Sequence, residues 1–272
     1  MNNFVISLAA ASHRRAHIIN EFSKKKIAFD FFDAITPDEI DTYALKFKIN
    51  IHKSDLTRGE IACFFSHIVL WQQCIEKGLK HIAVFEDDVY LGKNIHLFLN
   101  NTAWINKEME LIKLEAFEKY ADMANVEYPT LDKRVLKPLR SQHLGTCGYI
   151  ISSAAATKIL NNIIQSYTSI AISEPIDHLI FNRYLNNITA LQLLPAIAIQ
   201  SDRLTYLTNQ LPTVTLNSDL QLLRNERLEN EHQKYKEKRS LSIFSKIIRE
   251  VTRPYHRYQQ RRQNARNTIN FY

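Results

Sequence analysis

Short apolar runs alternate with amphipathic segments through the first part of the chain. Residues 4–8, FVISL, form an apolar run typical of a parallel strand that is buried on both faces. Ser12 then stands where an N-cap is expected, ahead of a helix whose apolar face carries Ile18, Ile19 and Phe22. Residues 27–35, IAFDFFDAI, are rich in β-branched and aromatic side chains and predict a second strand.

The helical signal is strongest between residues 57 and 78. Thr57 and Glu60 have the spacing of a capping box, and Gly78 suits the left-handed position that follows a last helical turn. This helix leads into the apolar run HIAVFE. Further strands are predicted in MELIKLEAF and LGTCGYIIS, and another helix in SAAATKILNNIIQSY. The alternation predicts an α/β fold with a largely parallel sheet flanked by helices.

The charge divides the chain into two parts. The net charge is +7, but residues 234–272 hold eleven Lys and Arg against two Glu and so carry +9, which leaves −2 on residues 1–233. We therefore expect a domain at 1–233 and a basic tail at 234–272. Residues 243–251 of the tail have apolar side chains at helical spacing beside basic ones, which predicts a basic, amphipathic, helical C-terminal extension.

The composition further limits the class of protein to which the chain can belong. Hydrophobic residues make up 45% of the 272, which suits a folded core. No window approaches eighteen uncharged apolar residues, so no transmembrane helix is expected. The three cysteines are an odd number without paired spacing, which suits a reducing cytoplasm. Cys63, His67 and Cys74 lie in one helical segment, and no second pair of zinc ligands is near them in the sequence, so a zinc site is not expected.

Three consecutive carboxylates, Glu86, Asp87 and Asp88, directly follow the run HIAVFE. Ligands bind beyond the carboxyl ends of parallel strands, and carboxylates are the ligands that Mg²⁺ and Mn²⁺ prefer. The chain has only five glycines and no glycine-rich phosphate loop, so a metal is the expected anchor for a diphosphate. The alternative is an acidic turn exposed to water.

These blocks together resemble glycosyltransferase family 25, the bacterial lipopolysaccharide-biosynthesis enzymes that are related to collagen galactosyltransferases. The resemblance rests on LTRGEIACFFSHIVLW followed by AVFEDDVYL, with VISLAAASHRR, FDFFDAI, GTCGYIISSAAATKIL and PIDHLIF in the family's order. It covers roughly residues 3–200. It implies a GT-A fold, a nucleotide-sugar donor and a bound divalent cation, Mn²⁺ or Mg²⁺.

Carried over by position, the resemblance makes Asp88 the direct metal ligand. Glu86 is placed at the metal through a bound water, or at the ribose, and Asp87 is either structural or in contact with the donor. Leu8 lies in the turn after the first strand, where the family usually has a more polar sequence than Ser7-Leu8-Ala9.

Other donor-site candidates each have a structural alternative. Arg14 is placed at the diphosphate or at a solvated helix start, and Asp33 with Ala34 at the uracil or ribose or in a strand-end turn. Glu60 and His67 are seven residues apart and share one helical stripe; Glu60 is expected toward the nucleoside, and His67 is either near the acidic motif or a satisfied core histidine.

A small-residue stretch offers further candidates. Gly145 and Thr146 enter a strand where the backbone closely approaches a neighbouring strand or the donor sugar. His143, just upstream, is a further candidate for the metal shell or the acceptor.

The segment SEPIDHLIF supplies the candidate base. Pro175 suits a first helical position, which places Asp177 in an opening turn, where it is either the base or a partner of the helix dipole. Glu174 is the second candidate. The resemblance implies inversion at the anomeric carbon, which needs one carboxylate to accept the proton of the attacking hydroxyl.

The sequence therefore predicts a glycosyltransferase that moves galactose or glucose from a UDP-hexose to a lipooligosaccharide acceptor. It is expected to be cytoplasmic and peripheral on the inner membrane, with the tail on the anionic lipid surface and no nucleic-acid partner. The rival hypotheses are a metal-dependent phosphohydrolase, a carbohydrate-binding module and an inactive paralogue.

Overall fold

The computed structural model describes residues 1–214, 216 and 267–272. Its strands, in chain order, are β1 Asn2–Ser7, β2 Asp30–Asp33, β3 His81–Glu86, β4 Val89–Leu91, β5 Leu111–Lys113, β6 Tyr128–Pro129, β7 Val135–Pro138, β8 Gly148–Ser152, β9 Ala190–Leu194 and β10 Ala198–Gln200. Its α-helices are α1 Ser12–Lys24, α2 Ile40–Phe47, α3 Arg58–Glu76, α4 Ile95–Leu99, α5 Ser153–Tyr167, α6 Ile176–His178 and α7 Ser201–Thr208. Short 3-10 turns occupy Leu131–Lys133 and Leu185–Asn187, and a π-helical turn occupies Leu179–Arg183.

Eight of the described strands form one sheet in the order β2-β1-β3-β8-β5-β9-β7-β6, and β4 pairs with β10 in a separate two-stranded sheet. In the large sheet β8 and β7 run against the other six strands. The prediction of an α/β fold with a mostly parallel sheet flanked by helices is confirmed. The strand predicted in LGTCGYIIS is present, but it runs antiparallel between β3 and β5.

Helices cover both faces of the sheet. Along β3, Ile82 and Val84 face a core shared with α3 and α5, while Ala83 and Phe85 face a second core shared with α1 and α4. This double burial explains why β3 is an unbroken apolar run. Within β3 the partly exposed residues are those at its two ends, His81 and Glu86.

The ends of two helices test the capping predictions. Thr57 and Glu60 form the predicted capping box at the start of α3, and Gly78 takes a left-handed φ of 64° after its end. The predicted N-cap at Ser12 is wrong: Ala11 occupies that position without a side-chain cap bond, and Ser12 is the first helical residue. A tight turn in which the Ala11 N–H donates to the Leu8 carbonyl starts the helix one residue early.

Most of the predicted tail, residues 234–266, lies outside the described residues, as do residues 217–233, so the boundary at 233/234 stays a prediction. The compact unit that is described comprises Met1–Leu216 and Ile269–Tyr272. Its last residues lie against the body, where the Ile269 N–H donates to Lys119 and the Ala196 N–H to Asn270. Within the described part of the chain, no helix has the length and apolar character needed to cross a bilayer.

Candidate functional site

The acidic triplet lies where three parallel strands end together. β1 pairs with both β2 and β3, so Ser7, Asp33 and Glu86 lie at the same edge of the sheet. Asp87 is buried there and accepts a hydrogen bond from Ser7 Oγ at 2.7 Å. Asp87 also forms an ion pair with Arg14 of α1. Burial lowers the pKa of Arg14, but the charges of Asp87 and Asp88 outweigh it and raise that pKa.

This contact involves two of the predicted site residues, whose roles stay predictions. Arg14 and Asp87 hold the start of α1 against the end of β3, so Asp87 has the structural partner expected of the middle residue of the motif. Arg14 is bound to a carboxylate and is not an exposed helix-start cation. Its charge also lies beside the acidic motif.

Asp88 lies in surroundings that disfavour its ionised form. Its Oδ1 is buried and makes no hydrogen bond to any described residue. Burial and the nearby charges of Glu86, Asp87 and Asp202 raise the pKa of Asp88 well above its usual range, although Arg14 acts in the opposite direction. A buried carboxylate oxygen among other carboxylates fits a divalent cation, because Mg²⁺ and Mn²⁺ favour oxygen ligands and supply the positive charge.

Glu86 is held by two side chains from different elements. Thr146 Oγ1 donates to Glu86 Oε1 at 2.5 Å, and His67 Nε2 lies 3.4 Å from the same oxygen, an ion-pair distance that is long for a hydrogen bond. Burial raises the pKa of Glu86, but His67, Thr146 and the charge of Lys113 outweigh it, so the pKa is lowered. Glu86 is therefore ionised at neutral pH.

His67 is fully buried and belongs to a polar chain that runs from α3 to β8. Its Nδ1 lies 2.8 Å from Tyr149 Oη, which also accepts a hydrogen bond from Trp71 Nε1 at 2.9 Å. The ring of His67 is thus packed in the core and also lies beside the acidic motif, and its role in donor binding stays a prediction. Sequence reasoning missed Tyr149 and Trp71, whose partners lie about eighty residues away in the chain.

The stretch of small residues joins the acidic motif to the candidate base. Gly145 has a φ of +90°, and a side chain there would meet Glu115 Oε1 at 2.6 Å. Its N–H points to Asp177 Oδ2 at 3.4 Å, while the next residue, Thr146, binds Glu86. A close backbone approach was predicted here, and the neighbour approached is Glu115. One short segment therefore contacts both Glu86 and Asp177.

A buried ion pair between Lys113 and Glu115 holds the segment that contains Gly145 and Cys147. Lys113 Nζ donates to Glu115 Oε2 at 2.9 Å and to the Gly145 carbonyl at 2.5 Å, and both side chains are completely buried. Glu115 Oε2 also accepts from the Cys147 N–H at 3.1 Å. Sequence reasoning missed this pair. Its signal is the alternation in LIKLE, which places two charges on one face of an otherwise apolar strand.

The two candidate bases have different surroundings. Asp177 is buried in the first turn of α6, with Pro175 at the N-cap position and not at the first helical position as expected. Its Oδ1 accepts from the His178 N–H at 3.0 Å. Glu174 forms an ion pair with Arg183 and lies near the Tyr167 hydroxyl, away from the other predicted site residues that the structure connects.

Three of the remaining candidates surround a cavity. Leu8, Asp33 and Ala34 line a space of about 750 Å³ beyond the ends of β1 and β2, together with Thr36, Tyr43 and Gln73. Asp33 forms an ion pair with Arg15 and remains largely exposed. A cavity of this size accommodates a nucleoside, since small-molecule pockets span about 300–1,000 Å³.

Two candidate residues, Glu60 and His143, make hydrogen bonds to other parts of the protein. Glu60 is buried, and its carboxylate accepts from the Thr57 N–H at 3.0 Å, which is the capping-box contact. His143 has both ring nitrogens engaged, with Gln192 Oε1 at 3.0 Å and the Glu118 N–H at 3.2 Å. Burial and the charge of Lys113 lower the pKa of His143 to about 3. His143 is thus a neutral core histidine with no lone pair left for a metal.

Comparison with known proteins shows which proteins this chain is similar to. The sequence profile of glycosyltransferase family 25 (LPS biosynthesis protein) matches residues 1–180. The chain is 33% identical over 268 residues to the lipooligosaccharide biosynthesis protein lic2B of Haemophilus influenzae, covering 92% of this chain and 94% of that protein. It is 31% identical over 282 residues to the lacto-N-neotetraose biosynthesis glycosyltransferase LgtB of Neisseria meningitidis serogroup B, covering 99% and 98%. Among solved structures, a glycosyltransferase involved in the glycosylation of the major capsid of PBCV-1 aligns with a TM-score of 0.40 and 11% identity, covering 73% of this chain and 91% of that one.

Proposed function

Because this chain belongs to glycosyltransferase family 25, we propose that it transfers a hexose, galactose or glucose, from a UDP-sugar to a growing lipooligosaccharide. The names of its relatives support the acceptor class, since two of them act in the biosynthesis of lipooligosaccharide or of lacto-N-neotetraose. The observation that carries the donor half of the proposal is Asp88, a half-buried residue whose buried Oδ1 makes no hydrogen bond to the described residues and which stands beside Glu86 and Asp87.

The donor site in this proposal extends along the edge of the sheet. Asp88 would hold Mn²⁺ or Mg²⁺ directly, with Glu86 beside it as a second ligand or as a partner of a metal-bound water. The bound cation would neutralise the charge that develops on the departing diphosphate. Arg14, fixed by Asp87, adds a positive charge on the same side. The nucleoside would occupy the cavity lined by Leu8, Asp33 and Ala34.

Asp177 is the proposed base. It would accept the proton of the acceptor hydroxyl as that oxygen bonds to the anomeric carbon and the bond from that carbon to the diphosphate breaks, which inverts the centre. Asp177 accepts the N–H of Gly145, and the next residue, Thr146, donates to Glu86. This connection to the acidic motif supports the role of Asp177 as the base. Glu174 is disfavoured because its carboxylate is paired with Arg183.

The remaining part of the proposal concerns location. We propose that the enzyme works on the cytoplasmic side of the inner membrane, held to anionic lipid by the basic tail at 234–272. A lipid-linked acceptor made at that surface would then be concentrated near the enzyme.

A donor screen tests the function. The purified protein is incubated with UDP-galactose, UDP-glucose and a GDP-sugar control, a truncated lipooligosaccharide acceptor, and either Mn²⁺ or EDTA. The proposal predicts transfer from one of the UDP-hexoses, with Mn²⁺ only, and a product of inverted anomeric configuration by NMR. Undiminished transfer in EDTA would overturn the cation assignment, and turnover of neither UDP-sugar would overturn the donor assignment.

A further inference from the structure

A second group of potential metal ligands lies between α3 and the end of β3. The Sγ of Cys63, a ring nitrogen of His67 and a carboxylate oxygen of Glu86 all lie within 4.8 Å of one another. Cys63 and His67 are four residues apart on α3 and therefore project from the same face of the helix. Cys74 lies on the same helix but is not part of this group. The third member is Glu86, at the end of β3.

The distances suit a tetrahedral zinc site. Zinc bonds to nitrogen and oxygen of about 2.0–2.2 Å, at tetrahedral angles, hold two such ligands roughly 3.4 Å apart. His67 Nε2 and Glu86 Oε1 are 3.4 Å apart. Nε2 is also buried and makes no well-formed hydrogen bond to a described residue. The Sγ of Cys63 needs to move by at most about 1 Å to complete a set of three, because a zinc–sulfur bond is about 2.3 Å.

The contacts behind His67 orient the ring for this role. Its Nδ1 lies 2.8 Å from Tyr149 Oη, and Trp71 Nε1 donates to the same oxygen. A tyrosine hydroxyl oxygen can accept two hydrogen bonds, so on metal binding His67 can carry its proton on Nδ1 and direct the Nε2 lone pair to the cation. Metal-binding histidines are commonly held through their second nitrogen in this way.

We propose that Cys63, His67 and Glu86 bind one thiophilic divalent cation of the Zn²⁺ type, with water in the fourth position. A thiolate, an imidazole and a single carboxylate match zinc, whereas the carboxylate of Asp88 matches a harder cation. Binding displaces the thiol proton of Cys63 to solvent. The proposal does not depend on the transferase function. Because Glu86 belongs to both groups, zinc here competes with any use of Glu86 in donor binding.

Cobalt substitution tests the site without any substrate. One equivalent of Co²⁺ added to the full chain should produce the near-ultraviolet absorption of a thiolate–Co²⁺ bond, and one equivalent of Zn²⁺ should abolish it. Cys63→Ala should lose the band, whereas the matched control Cys74→Ala, on the same helix but outside the group, should keep it. No band in the wild type, or a band that survives in Cys63→Ala, would overturn the proposal.

A second measurement uses the unmodified protein, in case a variant fails to fold. Alkylation of Cys63 by iodoacetamide is followed by mass spectrometry with and without Zn²⁺, and with Mg²⁺ as the control cation. The proposal predicts at least about tenfold slower modification of Cys63 with Zn²⁺ and no change with Mg²⁺, because a coordinated thiolate is shielded. Equal rates in all three conditions would contradict it.

Discussion

Replacing Lys113 by Met should strongly destabilise the protein, because it leaves Glu115 buried without its counter-ion. Both side chains are fully buried, and Lys113 Nζ makes hydrogen bonds to Glu115 at 2.9 Å and to the Gly145 carbonyl at 2.5 Å. Removing one member of such a pair costs about 3–5 kcal/mol of unfolding free energy. A double variant, Lys113→Met with Glu115→Gln, should cost less than Lys113→Met alone, because no buried charge remains.

The pH dependence of this loss follows from Glu115. Burial raises the pKa of Glu115 even beside Lys113. A carboxyl with a raised folded-state pKa favours the fold when protonated, and this contribution is lost as the pH rises through the folded-state pKa. Without Lys113 that pKa rises further, so the destabilisation by Lys113→Met should be smaller near pH 5 than near pH 8.

Urea unfolding at the two pH values measures these quantities. The matched control is Lys158→Met, which breaks a half-exposed Lys–Glu pair, Lys158 with Glu110 at 2.6 Å, and should cost about 0–1 kcal/mol. A cost for Lys113→Met no larger than that of the control would show that the buried pair is not formed. An equal cost at pH 5 and pH 8 would refute the role given to the Glu115 charge.

Three further predictions concern the site and the tail. Asp177→Asn should lower kcat by about a hundredfold or more while UDP affinity, measured by calorimetry, stays near the wild-type value; a collapse of UDP affinity would place Asp177 in the donor site instead. Thr146→Val removes the 2.5 Å hydrogen bond to Glu86 and should raise the donor KM roughly tenfold or more, whereas Thr157→Val, whose hydroxyl donates to the Ser153 carbonyl of its own helix, should leave the donor KM unchanged. Glutamine at Lys246, Arg249 and Arg253 should abolish flotation with anionic liposomes and reduce transfer to a membrane-embedded acceptor more than to a short soluble one; unchanged flotation would contradict a lipid-binding tail.

Local patterns predicted the elements of this fold well. The capping box of α3, the apolar run of β3 and the helix after β8 depend on neighbouring residues, and all three are present. The direction of β8 could not be inferred, because a short apolar run reads the same in a parallel and an antiparallel strand. The early start of α1 depends on the turn after Leu8, which the identity of Ser12 alone does not reveal.

The candidate site was predictable where it depends on position at the sheet edge. Asp87 and Asp88 follow β3, Asp33 is the last residue of β2, and parallel pairing brings strand ends together. Contacts between distant parts of the chain were not predictable from one sequence. The bond from Thr146 to Glu86 spans 60 residues, and no local pattern identifies Tyr149, 82 residues away, as a partner of His67.

The most direct test of the account is Mn²⁺ binding in the presence of UDP. Titration followed by electron paramagnetic resonance should show one UDP-dependent Mn²⁺ on the wild-type protein and none on Asp88→Asn. Because Asp88 stands among other carboxylates that raise its pKa, the same substitution should leave the unfolding free energy equal to or above that of the wild type. Undiminished, UDP-dependent Mn²⁺ binding by a folded Asp88→Asn protein would contradict the assignment of the end of β3 as the donor cation site.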